Sequence, residues 1–468
     1  MTTPAQATVD ADRLDPSVWK IAAVAALGSL LSQLDATIVN VSLSTLVTDL
    51  HSTLSTIQWV TSGYLLALTL VLPLNGWLVD RIGARAVYLG CISAFTLSSA
   101  LCGIAWSAGS LIGFRLLQGM SGGLLAPMAQ MMIARAAGRH MARVAGYAVA
   151  PVLLAPLLGP VIAGAILKYA SWRWLFLVNL PVGVVALLLA WFFLPGDRDE
   201  TTRRTLDWVG LALLSPGLAC LLYGSERLGS AAGKAALAAS VVLLAAFVWV
   251  ARRKGDRALI RLRLFRSPVF SAAAVTQFLS NGVLYAGQVL IPLYLLDACG
   301  FSPSHAGWLL TPLGIGMMVA YPSTGALTKR FGIRRLATGG ALLAFAATLP
   351  LAWLALHGFD PVVLFVALFL RGMGQSTVGL PSMAAAYASV NRQDLPMATT
   401  SLNIVQRLGG PAFTTVMAAF LAWRLEAPSP GQATSAAFAF AFLLLGGLHA
   451  LTALSALRLP LKASDVEG

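Results

Sequence analysis

The sequence predicts an all-α integral membrane protein of fourteen spans, two six-helix bundles with two extra transmembrane helices between them. Three observations carry this. Over 468 residues, 58% are hydrophobic and 11% charged, with a mean hydropathy of +0.79. A soluble domain of that length needs more charge to cover its surface, so lipid is the solvent for most of the chain. The loop GWLVDRIGARA at 76–86 returns as GALTKRFGIRR at 325–335, with Gly76 matching Gly325 and Gly83 matching Gly332. Each copy ends one long apolar segment and starts the next, and two related halves of this kind suit a machine that rocks about its middle. Finally, most of the 32 Lys and Arg fall in tails or loops on one side of the spans, which is the positive-inside pattern.

That placement also removes nucleic acid as the reason for the net charge of +14. The densest run, Arg252, Arg253, Lys254, Arg257, Arg261, Arg263 and Arg266, reads as an orienting loop against anionic lipid. The four cysteines lack paired spacing and predict neither disulfides nor a metal site. His51, His140, His305, His357 and His449 are scattered, and no phosphate loop or nucleophile triad accompanies them. An integral-membrane enzyme is therefore the remote alternative.

Residues 1–19 are polar, lack the basic start of a secretory signal, and read as a cytoplasmic tail. Helical spans of about 20 apolar residues follow at 20–44, 57–79, 86–106, 109–133, 144–168 and 172–194. These make an N-terminal bundle over 20–195. Segment 196–267 holds the inserted pair, 206–226 and 236–251, and the basic cytoplasmic loop. Spans at 268–296, 305–328, 336–356, 361–389, 399–423 and 435–457 make the C-terminal bundle over 268–458, and 459–468 is a second cytoplasmic tail. An even count places both termini on the cytoplasmic side.

Asp35 lies deep in the first span, where an acid costs about 2.5–3.5 kcal/mol and needs a cavity or a partner. Arg115 lies in span four. By helical rise, Asp35 is roughly 13 Å and Arg115 roughly 9 Å inside the outer ends of their spans, so the two can sit at similar depth. Asp35 reads as a proton-coupling site with Arg115 as its counter-ion. The alternatives are a satisfied packing residue for Asp35 and backbone carbonyl partners for Arg115. Arg371 in span twelve is the expected counterpart of Arg115, and Arg407 in span thirteen follows Asn403 by one turn. Gln277, Asn281, Tyr285 and Gln288 recur at spacings of four, four and three, one polar stripe that lines a water-filled pathway or bonds neighbouring helices. With Arg371, Asn403 and Arg407, this stripe is the predicted substrate cavity. Trp59, Tyr64, Tyr285, Trp308, Tyr321 and Phe369 are candidate aromatic walls.

In the repeated loop, Gly76, Asp80, Arg81, Gly83 and Arg85 form the predicted gate, where charges at helix ends break and reform contacts as the halves rock. Plain topology anchoring is the alternative. Span five carries Pro151, Pro156, Pro160, Gly159 and Gly164 and predicts a bent helix at the interface of the halves. Its alternative is a kinked but passive packing helix.

Together these segments resemble the major facilitator superfamily, and within it the fourteen-span drug:proton antiporters of the EmrB/QacA type. LDATIVNVSLS at 34–44 is similar to the first-span signature, with Asp35 at the acidic position and Ser44 where proline is usual. GWLVDRIGAR resembles the superfamily loop, with Ala84 in place of a basic residue. RLLQGMSGG at 115–123 carries the buried Arg of span four, with Ser121 for a Gly. APLLGPVIAG at 155–164 resembles the antiporter signature of span five, with Ala155 and Ala163 for glycines. SWRWLFLVNLPVG at 171–183 resembles the marker that opens span six.

The resemblance implies alternating access and proton-driven export of amphipathic small molecules, with Asp35 and Arg115 in the proton machinery and Asp80 in the cytoplasmic gate. It implies a multi-pass protein of the bacterial inner membrane, with protons as coupling ion and no other cofactor. A functional monomer among membrane lipid is expected, with or without a periplasmic adaptor. One deep acid against three buried arginines favours neutral, monovalent or weakly anionic cargo; Glu226 and Asp297 lie near outer span ends. A dedicated exporter of one metabolite or siderophore is the alternative within transport.

Overall fold

The computed structural model describes residues 15–153, 155–196, 205–425 and 433–461. Among these the fold is all-helical. The first half comprises α1 (Pro16–Val41), α2 (Leu43–Asp49), α3 (Leu54–Val71), α4 (Asn75–Ile82), α5 (Ala84–Gly103), α6 (Ala108–Ala137), α7 (Met141–Leu153), α8 (Ala155–Tyr169), α9 (Trp174–Leu177) and α10 (Asn179–Phe193). An inserted pair follows, α11 (Trp208–Glu226) and α12 (Ala231–Lys254). The second half comprises α13 (Pro268–Leu293), α14 (Pro303–Leu309), α15 (Thr311–Phe331), α16 (Ile333–His357), α17 (Pro361–Ala388), α18 (Leu395–Leu425) and α19 (Ala433–Ala456).

Local chemistry sets these boundaries. Asp15 caps α1 by accepting from the Ser17 N–H at 2.8 Å, with Pro16 in the first turn, so the helix begins inside the segment read as a tail. Ser107 and Ser110 make a reciprocal capping box at the start of α6. Gly83 and Gly332 end α4 and α15 at φ 89° and 82°, a region that L side chains rarely adopt. The two copies of the loop therefore share one backbone turn, and that turn requires the paired glycines.

Eleven helices among the described residues are long and apolar enough to cross a membrane. Helices α6 (30 residues) and α15 (21 residues) are also of crossing length but richer in glycine and polar groups. The span expected at 305–328 is broken into α14 and α15, and that at 144–168 is covered by α7 and α8, on either side of residue 154.

Within the first half, α6 packs on α1, α3 and α5. Gly119 and Gly123 make the α3–α6 contact close: a Cβ at either would lie 2.5 Å from a backbone carbonyl of Tyr64 or Leu68. Within the second half, α13 packs on α17, α18 and α19, and α16 on α17 and α19. Helix α11 pairs with α12 and also touches α3 and α18, so the inserted pair bridges both halves. The main contacts between halves are α7 with α15 and α4 with α18. Both contacts include residues of α4 and α15 close to the repeated loops, Gly76 and Gly325, and this side is termed here the loop end.

Candidate functional site

Asp35 and Arg115 are both fully buried. Arg115 Nη1 donates to Asp35 Oδ2 at 2.5 Å. Asp35 Oδ1 accepts from Gln118 Nε2 at 3.0 Å and from Asn179 Nδ2 at 2.7 Å. Every partner of the carboxylate donates, so Asp35 acts as an acceptor alone, the role of its ionised form. Arg115 also donates through Nε to the Val60 carbonyl at 3.1 Å and through Nη1 to Gln118 Oε1 at 2.9 Å. Its guanidinium lies 4.1 Å from the Tyr64 ring centre. Ser99 Oγ ties the two amides together, accepting from Gln118 and Asn179 at 3.1 Å each. One polar atom remains without a hydrogen bond, Arg115 Nη2. A buried ion pair repays its desolvation through such added bonds, and losing one partner strands the other charge.

The expected pairing of Asp35 with Arg115 is thus present. Gln118, Asn179 and Ser99 were not singled out from the sequence. Gln118 was legible as the residue three positions beyond Arg115 on the same helical face. Asn179 sits in the marker that opens span six, but nothing local shows that it reaches α1.

Between the halves lies a cavity of about 820 Å³. Its lining includes Gln33 and Ala36 on α1, which flank the inward-turned Asp35; Asp35 itself does not line it. Gln277, Asn281, Tyr285, Asn403 and Arg407 line it. Gln288 and Arg371 do not, and the sequence expectation is corrected there. The cavity follows α13 in steps of four through Gln277, Asn281, Tyr285 and Val289; Gln288 is one residue, about 100° of rotation, off that track. Arg371 is buried toward α13 and α19 instead, donating to the Val283 carbonyl at 3.1 Å and lying 3.4 Å from His449 Nε2. Gly287 makes room for it: a Cβ there would stand 2.0 Å from Arg371 Nη2. Of the six candidate wall aromatics, Tyr285 and Tyr321 line the cavity. Tyr64 is buried against Ser32 at 3.0 Å.

The loop end closes the cavity floor. A Cβ on Gly76 would meet Thr400 Oγ1 at 3.1 Å and Met397 at 3.2 Å, and one on Gly325 would lie 2.3 Å from Arg143 Cα. Each repeated loop therefore sets its first glycine against the opposite half. Asn75 Nδ2 donates to Thr400 Oγ1 at 3.2 Å, and Gln130 Oε1 accepts from Asn403 Nδ2 at 2.8 Å and from the Tyr387 hydroxyl at 3.3 Å. Asp80 is half-buried and Arg81 exposed on α4, while Arg85 Nη2 donates to the Trp191 carbonyl at 2.6 Å.

The interface role expected of span five falls on α7, not on the quoted signature. Gly146 meets the Tyr321 carbonyl, 2.5 Å from a built Cβ, whereas Gly159 packs on Thr37 within its own half. Nothing lies within 4 Å of a Cβ at Gly164. The side chains of Pro151, Pro156 and Pro160 fall outside those described.

Two helical bundles that meet at one end, enclose a central cavity and bury an ion pair at its side define a multi-pass membrane transporter. The match of residues 25–414 to the Major Facilitator Superfamily shows that the chain belongs to that family. It is 35% identical over 423 residues to a Mycobacterium tuberculosis (strain H37Rv) protein named multidrug resistance protein B homolog, covering 89% of this chain and 78% of the relative. A Salmonella newport protein provisionally named multidrug resistance protein MdtD is 31% identical, covering 95% and 96%. The fold is similar to that of the human organic anion transporter MFSD10, with a TM-score of 0.64 at 19% identity over 94% of this chain and all (100%) of that one. It is likewise similar to the proton:xylose symporter XylE, with a TM-score of 0.64 at 15% identity over 93% and 94%.

Proposed function

We propose that this protein is a proton-coupled antiporter that exports amphipathic small molecules from the bacterial cytoplasm by alternating access. The multidrug resistance names of its relatives support drug-like cargo. The observation that carries the coupling is the buried Asp35–Arg115 pair on α1 and α6, beside residues that line the cavity.

In this reading the chain crosses the inner membrane fourteen times, with α6, α7–α8 and α15 added to the eleven more apolar helices, and both termini are cytoplasmic. The bundles span 20–195 and 268–458, joined by 196–267. The loop end faces the cytoplasm, so the conformation is closed inward. Protonation of Asp35 removes the charge that holds Arg115, frees the guanidinium for other acceptors, and lets α1 move against α6. Release of that proton to the cytoplasm restores the pair. Gly76, Asp80, Arg81, Gly83 and Arg85 make up the cytoplasmic gate, and protons are the sole coupling ion.

The test is reconstitution in liposomes with an imposed pH gradient and a panel of charged and neutral dyes. The wild-type protein is expected to move dye against proton flow. Asp35→Asn is expected to abolish gradient-driven movement while inserting normally. Gradient-driven efflux at the wild-type rate in that variant would remove Asp35 from the coupling.

A further inference from the structure

Arg407 is half-buried on α18 and lines the cavity, yet no hydrogen bond or ion pair satisfies it among the described residues. The other two buried span arginines are engaged, Arg115 with Asp35 and Arg371 with a carbonyl. The one acid among the described lining residues, Glu226, is exposed at the last residue of α11, toward the end opposite the repeated loops. Gln406 and Asn281 also line the cavity, with no hydrogen-bond partner among the described residues, and Asn281 Oδ1 is a buried acceptor. Leu65, Leu68, Leu218 and Met383 add apolar surface to the same wall.

A guanidinium held in a partly desolvated, apolar chamber without a counter-ion is costly to fold and is stabilised by any anion that enters. Its planar fork matches a carboxylate in a two-bond geometry. The amides of Gln406 and Asn281 can donate to or accept from a polar group elsewhere on the cargo. The chamber is large enough for a drug-sized body. These features describe a receptor for a particular charge type.

We propose that the cavity binds amphipathic monoanions, with the carboxylate of the cargo on Arg407 and its apolar body against the wall. This deepens the export reading above and depends on it only for the direction of transport, since binding can be measured without a gradient.

The experiment uses the purified full-length protein and three fluorescent probes with one common body: 11-(dansylamino)undecanoic acid, its methyl ester and its primary amide. Wild type is expected to bind the acid at least roughly tenfold more tightly than the ester or amide, as a charge-assisted pair on a desolvated guanidinium implies. Arg407→Gln is expected to erase that preference while keeping ester binding, which also reports that the variant is folded. Arg407→Lys is expected to retain part of it. Equal binding of acid and ester by wild type overturns the proposal, and so does a preference that survives in Arg407→Gln. A wild-type protein that shows no acid preference but still exports the neutral ester against a proton gradient would overturn this inference and leave the antiport reading standing. A protein that prefers the acid but moves nothing under a gradient would do the reverse.

Discussion

Gly325→Ala tests whether the two halves close where the repeated loops lie. The added Cβ would stand 2.3 Å from Arg143 Cα and 2.6 Å from its Cβ. Carbon atoms pack best at about 3.5–4.0 Å, so α15 must back away from α7 by more than about 1 Å. The obstacle is backbone, which no rotamer change relieves. Overpacking of this kind costs about 1–3 kcal/mol. The contact exists only while the halves meet at this end, so the whole penalty falls on the closed state and shifts its population by roughly 5–150-fold. Helix α15 itself is not weakened, since Ala is the better helix former.

The assay is pulsed electron–electron distance measurement between spin labels at Ala86→Cys and Arg335→Cys, both exposed beside the repeated loops. The native cysteines, two buried and two half-buried, are first replaced. Gly325→Ala should move the distribution to longer distances and slow transport. Gly90→Ala is the control, because nothing lies within 4 Å of its Cβ. A wild-type distribution in Gly325→Ala, or an equal shift in Gly90→Ala, would refute the reasoning.

The remaining expectations concern the edges of the site. Asp207 accepts from the Gly210 N–H at 2.9 Å, from Lys254 Nζ at 2.5 Å and from the Leu259 N–H at 3.0 Å, so it ties the start of α11 to the end of α12. Burial pushes its carboxyl upward, but Lys254 and the two N–H groups outweigh that and hold it below the usual aspartate range. Its stabilisation is therefore complete above the pKa of an unfolded aspartate and is lost as pH falls through the lower folded value. Asp207→Ala should lose about 2 kcal/mol at neutral pH, seen as a lower Tm by intrinsic fluorescence; a Tm gap that persists undiminished in strong acid would contradict this. Arg371→Met should keep acid-probe binding and hold or raise the Tm, because a well-packed apolar residue of similar length commonly matches or betters a buried charge. Loss of probe binding would instead return Arg371 to the cavity.

Much of the architecture was legible in the chain because lipid leaves few options. A backbone in hydrocarbon must bond to itself, so an apolar run of crossing length is a helix. A glycine repeated at a loop tip marks a turn that needs positive φ, as Gly83 and Gly332 show. The charges Asp35, Arg115, Arg371 and Arg407 were each visible as costly residues in apolar surroundings. Depth along a helix follows from its rise, and this brought Asp35 and Arg115 to one level. Rotation about the helix axis and the choice of neighbour do not follow from local pattern. They decided that Asn179 rather than water completes the Asp35 shell, that Val289 rather than Gln288 continues the cavity wall, and that Arg371 turns away while Arg407 stays uncommitted. Sequence alone established which groups were too costly to lie idle. Only the packed helices settled which of them neutralise one another, because hydrogen bonds reach about 3 Å and contacts of that length are made by tertiary approach.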